Sequence, residues 1–296
     1  MVTDYGVLFR ELAVPRPVGT PNHQRVREAL KRELSTRAFA VEEHPFAGRP
    51  ARALFGVPKS VQGINLIAQR APSRLGTGGG PSVWLVAHYD SKGQPISMAV
   101  RLLGVFAAVA GILGLPLAPL PAAALLVIGL VVVAQNRVND NSPGAVDNAS
   151  ALVAVFMAID QVPPEKDVGI IFPDAEEFGL VGARALIADR AELFAEAAVI
   201  NLDGLDDAGR PVALLHKPGP LGEAIAVALG ARRARRLPVI VDGIPLARVA
   251  AECVTILKGN WRTMRIVHRP GDTVARVRLD GAANVAAGLA RVLRGL

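Results

Sequence analysis

Little in this sequence points to disulfide chemistry, export or nucleic acid. A single cysteine, Cys253, occurs in 296 residues, so no internal disulfide can form, which fits a reducing compartment. Its setting, AECVTIL, reads as an apolar strand in which the thiol is an inert buried group. Aromatic residues make up only 4%. No Lys/Arg-rich stretch is interleaved with Phe or Tyr, so base-stacking modules have no support despite a formal net charge of +7. The opening residues, MVTDYGVLFRELAVP, lack the basic start and continuous apolar run of a signal peptide. No internal repeat is visible.

What is present is apolar. Hydrophobic residues reach 51% and the mean hydropathy is +0.35. Much of the chain alternates strand-like and helix-like runs. Residues 1–36 read as helical, with Asn22 as a cap for the run from about 23 to 35. Strand-like runs follow at 39–46, 52–58 and 62–69, then a glycine-rich turn at 74–81 and an apolar run at 82–90. Beyond 147 the pattern predicts helices at 147–159, 180–188, 220–234 and 280–294. It predicts strands at 168–173, 197–203, 211–215, 238–242 and 253–257. Such alternation predicts an α/β fold with a largely parallel sheet. The basic run ARRARR at 231–236 reads as a solvated helix end.

Residues 98–134 break this rhythm. Two apolar segments of about 16 and 14 residues flank a turn carrying Pro116, Pro119 and Pro121, and Arg101 is their only charge. A bilayer crossing takes roughly 20 residues. A pair of core helices would show a polar outer face, and almost none is visible. The segment 97–135 is therefore expected to be an inserted apolar helical hairpin that contacts membrane lipid, tilted, shallow or re-entrant.

The chemistry-bearing residues fall at strand ends, where open α/β sheets bind ligands. They are His88 and Asp90 in HYD, Glu176 and Glu177 in DAEE, and Asp203 in NLDG. Asp147 follows in SPGAVDNAS and His268 in HRPGDT. Taken singly, each has a plainer explanation. Asp147 can cap a helix, Asp203 can sit in a turn, the paired glutamates can start a helix, and His268 can be a surface residue. His23 and His44 have no such context and are expected at the surface; His216 is a weaker candidate. Together, two histidines and several carboxylates form an N/O ligand set suited to zinc. Adjacent glutamates are costly unless cations offset them. One can bind metal while its neighbour takes a proton from water that zinc has acidified toward pKa ~7.

The ordered set HYDS, SPGAVDNAS, DAEEFGLVGA, NLDG and HRPGDT resembles the family-28 metallopeptidases, which include leucyl aminopeptidases, glutamate carboxypeptidases and glutaminyl cyclases. The likeness covers about 80 to 275, excluding the apolar insertion. It implies the three-layer α/β/α sandwich of zinc exopeptidases, formed by 1–296 as one catalytic domain, and two Zn2+ ions. By position, His88 and Asp203 would bind one ion, Glu177 and His268 the other, and Asp147 both. The Asp147–Asn148 peptide would be cis. Glu176 would be the general base, and Asp90 would orient His88. The chain departs from the family in the long interval from His88 to Asp147, which the apolar segment accounts for.

The activity implied is hydrolysis of a peptide bond next to a free N-terminus. A carboxypeptidase or amidase would need a cation for the substrate carboxylate, for which Arg262 and Arg265 are the candidates. A glutaminyl-cyclase-like acyl transferase would keep similar ligands. An inactive membrane scaffold would not need an intact base. The expected partners are a peptide substrate and membrane lipid through 97–135, not nucleic acid. Basic Lys92, Arg101 and Arg137 flank the apolar segment, and the positive-inside tendency puts the catalytic domain in the cytoplasm.

Overall fold

The computed structural model describes residues 3–52, 54–70 and 81–296; most of the expected turn at 74–81 lies outside them. The chain opens with α1 (Tyr5–Leu12), whose first amides are capped by the Asp4 carboxylate. In α2 (Pro21–Thr36), Thr20 is the cap and accepts from His23 N. Asn22 lies within the first turn instead, and its amide donates to Pro15 O at 2.8 Å. The strands β1 (Phe39–Gly48) and β2 (Val61–Arg70) pair antiparallel along their whole length. The described residues of the run at 52–58 form no strand and make an isolated bridge from Phe55 to Arg137.

The core elements follow as β3 (Val83–Val86), α3 (Met98–Gly114), α4 (Pro119–Ala134), α5 (Ser150–Ile159), β4 (Val168–Phe172) and α6 (Val181–Asp189). The chain then forms β5 (Ala198–Leu205), β6 (Arg210–Lys217), α7 (Pro220–Ala228), β7 (Arg232–Ala234) and α8 (Gly243–Leu246). It closes with β8 (Glu252–Gly259), α9 (Trp261–Ile266) and α10 (Asp280–Arg294). Two expectations fail here. The helix at 220–234 stops early, and its basic end becomes the short edge strand β7. Residues 238–242 form no strand.

The eight strands order as β1-β2-β4-β3-β5-β8-β6-β7. The centre, β4-β3-β5-β8, is parallel as expected, as is the β6-β7 pair, while β1, β2 and β6 join antiparallel, so the sheet is mixed around a parallel centre. The short link after β5 cannot make a parallel crossover. It turns the chain back, and β8 then inserts between β5 and β6.

Side-chain alternation along the strands builds two cores. Leu85, Ile170, Ile200 and Val254 pack on one face with α1, α2, α5, α7 and α10. Trp84, Val86, Ile171 and Val199 pack on the other with α6 and α8. The result is three layers, with helices covering both faces.

Apart from Met98, which packs on the first core, the helices α3 and α4 stand away from these cores and run antiparallel against each other. Their closest approaches are at glycines. A Cβ on Gly111 would lie 2.6 Å from Leu126 N, and one on Gly129 would lie 2.4 Å from Ala108 N. The buried residues of the pair are only Ala99, Gly104, Gly111, Ala122 and Gly129. Large apolar side chains face outward: Leu103, Phe106, Leu113, Leu117 and Leu120 are 57% to 88% exposed. Pro119 and Pro121 do not lie in the turn. They open α4, where a missing amide hydrogen costs nothing. With 17 and 16 residues, both helices fall short of a span. Among the described residues no helix is long and apolar enough to cross a membrane.

Candidate metal centre

Parallel strands β4, β3 and β5 lie side by side, so the loops leaving their carboxyl ends meet. The chain leaves β3 into His88-Tyr89-Asp90 and leaves β4 into Asp174-Ala175-Glu176-Glu177, while Asp203 sits near the end of β5. Asp147 comes from the tight segment before α5, and His268 from the loop after α9. Gly144, at φ +61, permits the turn into that segment: a Cβ there would lie 2.3 Å from Asp147 O. The Asp147–Asn148 peptide is cis.

These residues converge into two groups that share Asp147. One is His88, Asp147 and Asp203; the other is Asp147, Glu177 and His268, with candidate ligand atoms within 4.8 Å of one another in each. His88 Nε2 lies 3.2 Å from Asp147 Oδ1, while His268 Nε2 lies 2.9 Å from Asp147 Oδ2 and 3.2 Å from Glu177 Oε1. Both ring nitrogens of His88 and the Oε1 atom of Glu177 are buried without a hydrogen-bond partner. Orphaned buried polar atoms of this kind are costly. Their convergence on imidazole and carboxylate donors is what a pair of zinc sites presents, so the residues fit the metal.

The environment drives the two adjacent glutamates apart. Burial raises the carboxyl of Glu176 well above the usual carboxylate range, with the charge of Glu177 adding to it and His88 opposing. Its carboxylate accepts no hydrogen bond among the described residues; only its backbone is held, donating to Asp90 Oδ1 at 3.1 Å. Burial would raise Glu177 as well, but His268 and Lys92 pull it down to about 2. Its Oε2 lies 2.7 Å from Lys92 Nζ. Burial is likewise opposed at Asp147, where the close imidazoles of His268 and His88 hold the carboxyl well below its ordinary value. At Asp203 burial wins, and with the charge of Asp147 pushes the carboxyl up to about 7.

Comparison with known families decides what this geometry belongs to. The profile of peptidase family M28 matches residues 65–293. This chain belongs to peptidase family M28. Among solved structures it is similar to a glutaminyl cyclase from Porphyromonas gingivalis, at 17% identity over 98% of this chain and 96% of that one, with a TM-score of 0.66. An aminopeptidase from Aneurinibacillus sp. strain AM-1 aligns at 12% identity over 97% and 92% of the two chains, TM-score 0.66. A zinc aminopeptidase from Bacillus subtilis aligns at 13% identity over 97% and 93%, TM-score 0.66. A comparison with curated proteins finds no match. These likenesses establish the fold, and M28 membership supports a zinc-dependent hydrolase.

Around the shared aspartate, the M28 chain places supports at long sequence range. Asp90 reaches three groups: its Oδ1 lies 3.4 Å from His88 Nδ1, and its two oxygens accept from the amides of Glu176 and Glu177 at 3.1 Å each. Asp272, within HRPGDT, accepts from Val146 N at 2.8 Å and Asp147 N at 3.2 Å. The fully buried Arg16 donates to Tyr89 O at 2.7 Å and Pro143 O at 2.6 Å, tying the His88 loop to the Asp147 segment.

Expectations for the other histidines and basic residues change accordingly. His23 and His44 are buried, not at the surface. His23 Nε2 sits 2.8 Å from Asp174 Oδ1 and its ring stacks on Tyr89, while His44 Nδ1 faces Asn65 Nδ2 at 3.1 Å. His216 meets Thr255 Oγ1 at 2.9 Å, outside both groups. Arg262 and Arg265 are exposed. Cys253 is buried, as its apolar strand implies.

Sequence reasoning missed three groups. Lys92 was read only as a flanking charge. Asp242 is fully buried, and neither of its carboxylate oxygens has a hydrogen-bond partner. Burial, with the charges of Asp90 and Asp203, pushes Asp242 up to about 8, against the opposing pull of His88. The third is Arg101, whose Nη2 lies 2.8 Å from His268 Nδ1.

Proposed function

We propose that this chain is a two-zinc exopeptidase that releases N-terminal residues from peptides at a membrane surface. The observation that carries the reading is the pair of ligand groups sharing Asp147, with an untethered Glu176 beside them. In this reading residues 1–296 act as one catalytic domain. His88, Asp147 and Asp203 hold one ion, and Asp147, Glu177 and His268 hold the other. Zinc, when bound, supplies Lewis acidity that polarises a carbonyl and acidifies water. The chain's own residues do the rest. Glu177, tied to Lys92, stays ionised as a ligand. Glu176 is free to take a proton at its carboxylate and return it to the leaving amine. Environments that push two neighbouring carboxyls apart in this way mark acid–base and ligand roles. Asp90 orients His88 and fixes the backbone of both glutamates.

The decisive experiment is a panel of aminoacyl, N-blocked and C-terminally varied peptides, assayed with zinc and with chelator. Cleavage confined to free N-termini and abolished by chelation supports the reading. Conversion of N-terminal glutamine peptides to the cyclised product, without hydrolysis, would move the chain to the cyclase class.

The membrane part of the proposal rests on α3 and α4, which pair through glycines while large apolar side chains face outward. Close packing of small residues with apolar side chains outside is how helices associate in lipid. Their length favours a dip into one leaflet. Arg137 at the end of the pair, and exposed Arg262 and Arg265 on α9, which packs on α3, favour the anionic cytoplasmic leaflet. A protease added outside intact cells should leave the chain uncut; digestion of the catalytic residues would overturn the cytoplasmic placement.

A further inference from the structure

Both ends of the α3–α4 pair are fastened to the metal centre. On the α3 side, Gln94 N donates to His268 O at 2.8 Å, Arg269 Nη1 donates to Gln94 O at 3.1 Å, and Arg101 Nη2 lies 2.8 Å from the His268 ring. On the α4 side, Asn136 Oδ1 accepts from Arg101 Nη1 at 3.3 Å and from the Gln94 side chain. Lys92, in the segment leading to α3, lies 2.7 Å from Glu177. The helix pair therefore begins one arginine side chain away from the ligand groups.

The outward apolar surface begins at the same level. Val100 and Leu103 near the start of α3, and Leu130 and Val131 near the end of α4, are all exposed. Gly104 faces Val132 and Gly129 faces Ala108 across the pair, so these residues share the end joined to the catalytic domain. Aromatic and basic side chains surround that end. The helix α9 packs on α3; its Trp261 is 52% exposed, and Arg262 and Arg265 are exposed beside it. Next to the end of α4, exposed Phe55 bridges to exposed Arg137. Asp140 is the one acidic residue in 134–141 and 259–266.

Tryptophan gathers where hydrocarbon gives way to headgroups, and arginine there meets anionic lipid. The change from wholly apolar to Trp and Arg thus marks the lipid boundary, and it falls at the level of Arg101. At 1.5 Å per residue α3 is about 25 Å long, short of the ~30 Å hydrocarbon core. The pair enters and leaves on one face, and the metal centre sits at headgroup level on that face. A peptide dissolved in water gains nothing from this placement. A peptide already anchored in the bilayer meets the centre at a raised effective concentration.

We propose that the substrate is a peptide anchored in the same bilayer, cut at an N-terminus that lies only a few residues from the membrane. This rests on the metallopeptidase and lipid readings and names the substrate class of that site.

The test uses the full, zinc-loaded chain on vesicles of phosphatidylcholine with phosphatidylglycerol. Three peptides carry the same free N-terminal leucine. One is soluble, and two continue through a Gly/Ser spacer into a Leu/Ala span of about 20 residues. Their spacers are about 4 and about 20 residues, reaching roughly 14 and 70 Å when extended. Both anchored peptides should lose leucine at least about tenfold faster than the soluble one at equal bulk concentration, and the short spacer should serve as well as the long. Leu103→Ser, Phe106→Ser, Leu113→Ser and Leu120→Ser together should bring the anchored-to-soluble ratio toward one. A second readout needs no variant to fold. Of the two tryptophans, Trp84 is fully buried and Trp261 is exposed, so lipid brominated near the headgroup end of its acyl chains should quench Trp261. Cleavage of the long-spacer peptide alone, equal rates for soluble and anchored peptides, or an unquenched Trp261 overturns the proposal. So does a chain that ignores vesicles and forms a dimer that the four serines dissolve. If the soluble peptide is still hydrolysed with zinc in those cases, the metallopeptidase reading stands alone. No release from any peptide with zinc bound sinks both.

Discussion

Replacing Glu176 by Gln removes one charge and keeps the shape of the side chain. Glu176 is 7% exposed, and its carboxylate has no hydrogen-bond or ion-pair partner among the described residues, so no structural contact is lost. Its carboxyl is raised far above its ordinary value, chiefly by burial. In the metal-free fold the ionised form is therefore penalised. The sign follows directly: an acid raised on folding destabilises the fold above its unfolded pKa, and the penalty grows as pH rises toward the folded value. Metal-free Glu176→Gln should thus melt no lower than the parent at neutral pH. Activity should move the other way. Proton transfer by a positioned base contributes roughly 10²- to 10⁴-fold, or about 2.7–5.5 kcal/mol of barrier, so kcat should fall at least ~100-fold. Zinc content should stay at the parental level because Glu177, not Glu176, is tied into the ligand groups. The measurements are steady-state hydrolysis of an aminoacyl substrate, metal analysis after dialysis, and thermal melts in chelator. Turnover within a few-fold of the parent removes Glu176 from the mechanism, and loss of zinc would make it a ligand.

Other expectations follow from the same geometry. Asp147→Ala should lose bound zinc together with activity, since both ligand groups share this residue; a variant that still holds two equivalents makes Asp147 a structural residue only. Asp90→Asn should weaken zinc binding roughly 10–100-fold, as outer partners of ligating histidines do, and a competition titration with a chelator reads this. Changing Leu103, Phe106, Leu113 and Leu120 to Ser touches side chains that are already 57% to 84% exposed. At about 1.5–3 kcal/mol for each side chain fully buried, flotation with anionic vesicles should be lost while zinc binding persists; unchanged flotation contradicts the lipid assignment. Gly129→Val would drive a side chain into the Ala108 backbone and force α3 from α4, which should appear as new proteolysis within 97–135.

What could be read from the sequence was local. His88, Asp90, Glu176 and Glu177 follow apolar strand runs, Asp203 lies near the end of one, and a strand end is visible in a few consecutive residues. The closing helix at 280–294 is likewise a periodic pattern whose limits match α10. The apolar character of 98–134 could be read in the same way. Tertiary structure alone decided the rest, because the deciding contacts join residues far apart in the chain. Arg101 meets His268 across 167 positions, and Lys92 meets Glu177 across 85. His23 is buried because Asp174 and Tyr89 receive it, not because of anything beside it in the sequence. The mixed sheet arose from β1, β2 and β6 joining antiparallel and from β8 inserting between β5 and β6, a matter of strand direction and order that hydrophobic periodicity does not encode. Residue type at a strand end is set by neighbours within one turn, whereas burial, charge pairing and strand order are set by the packing of the whole chain.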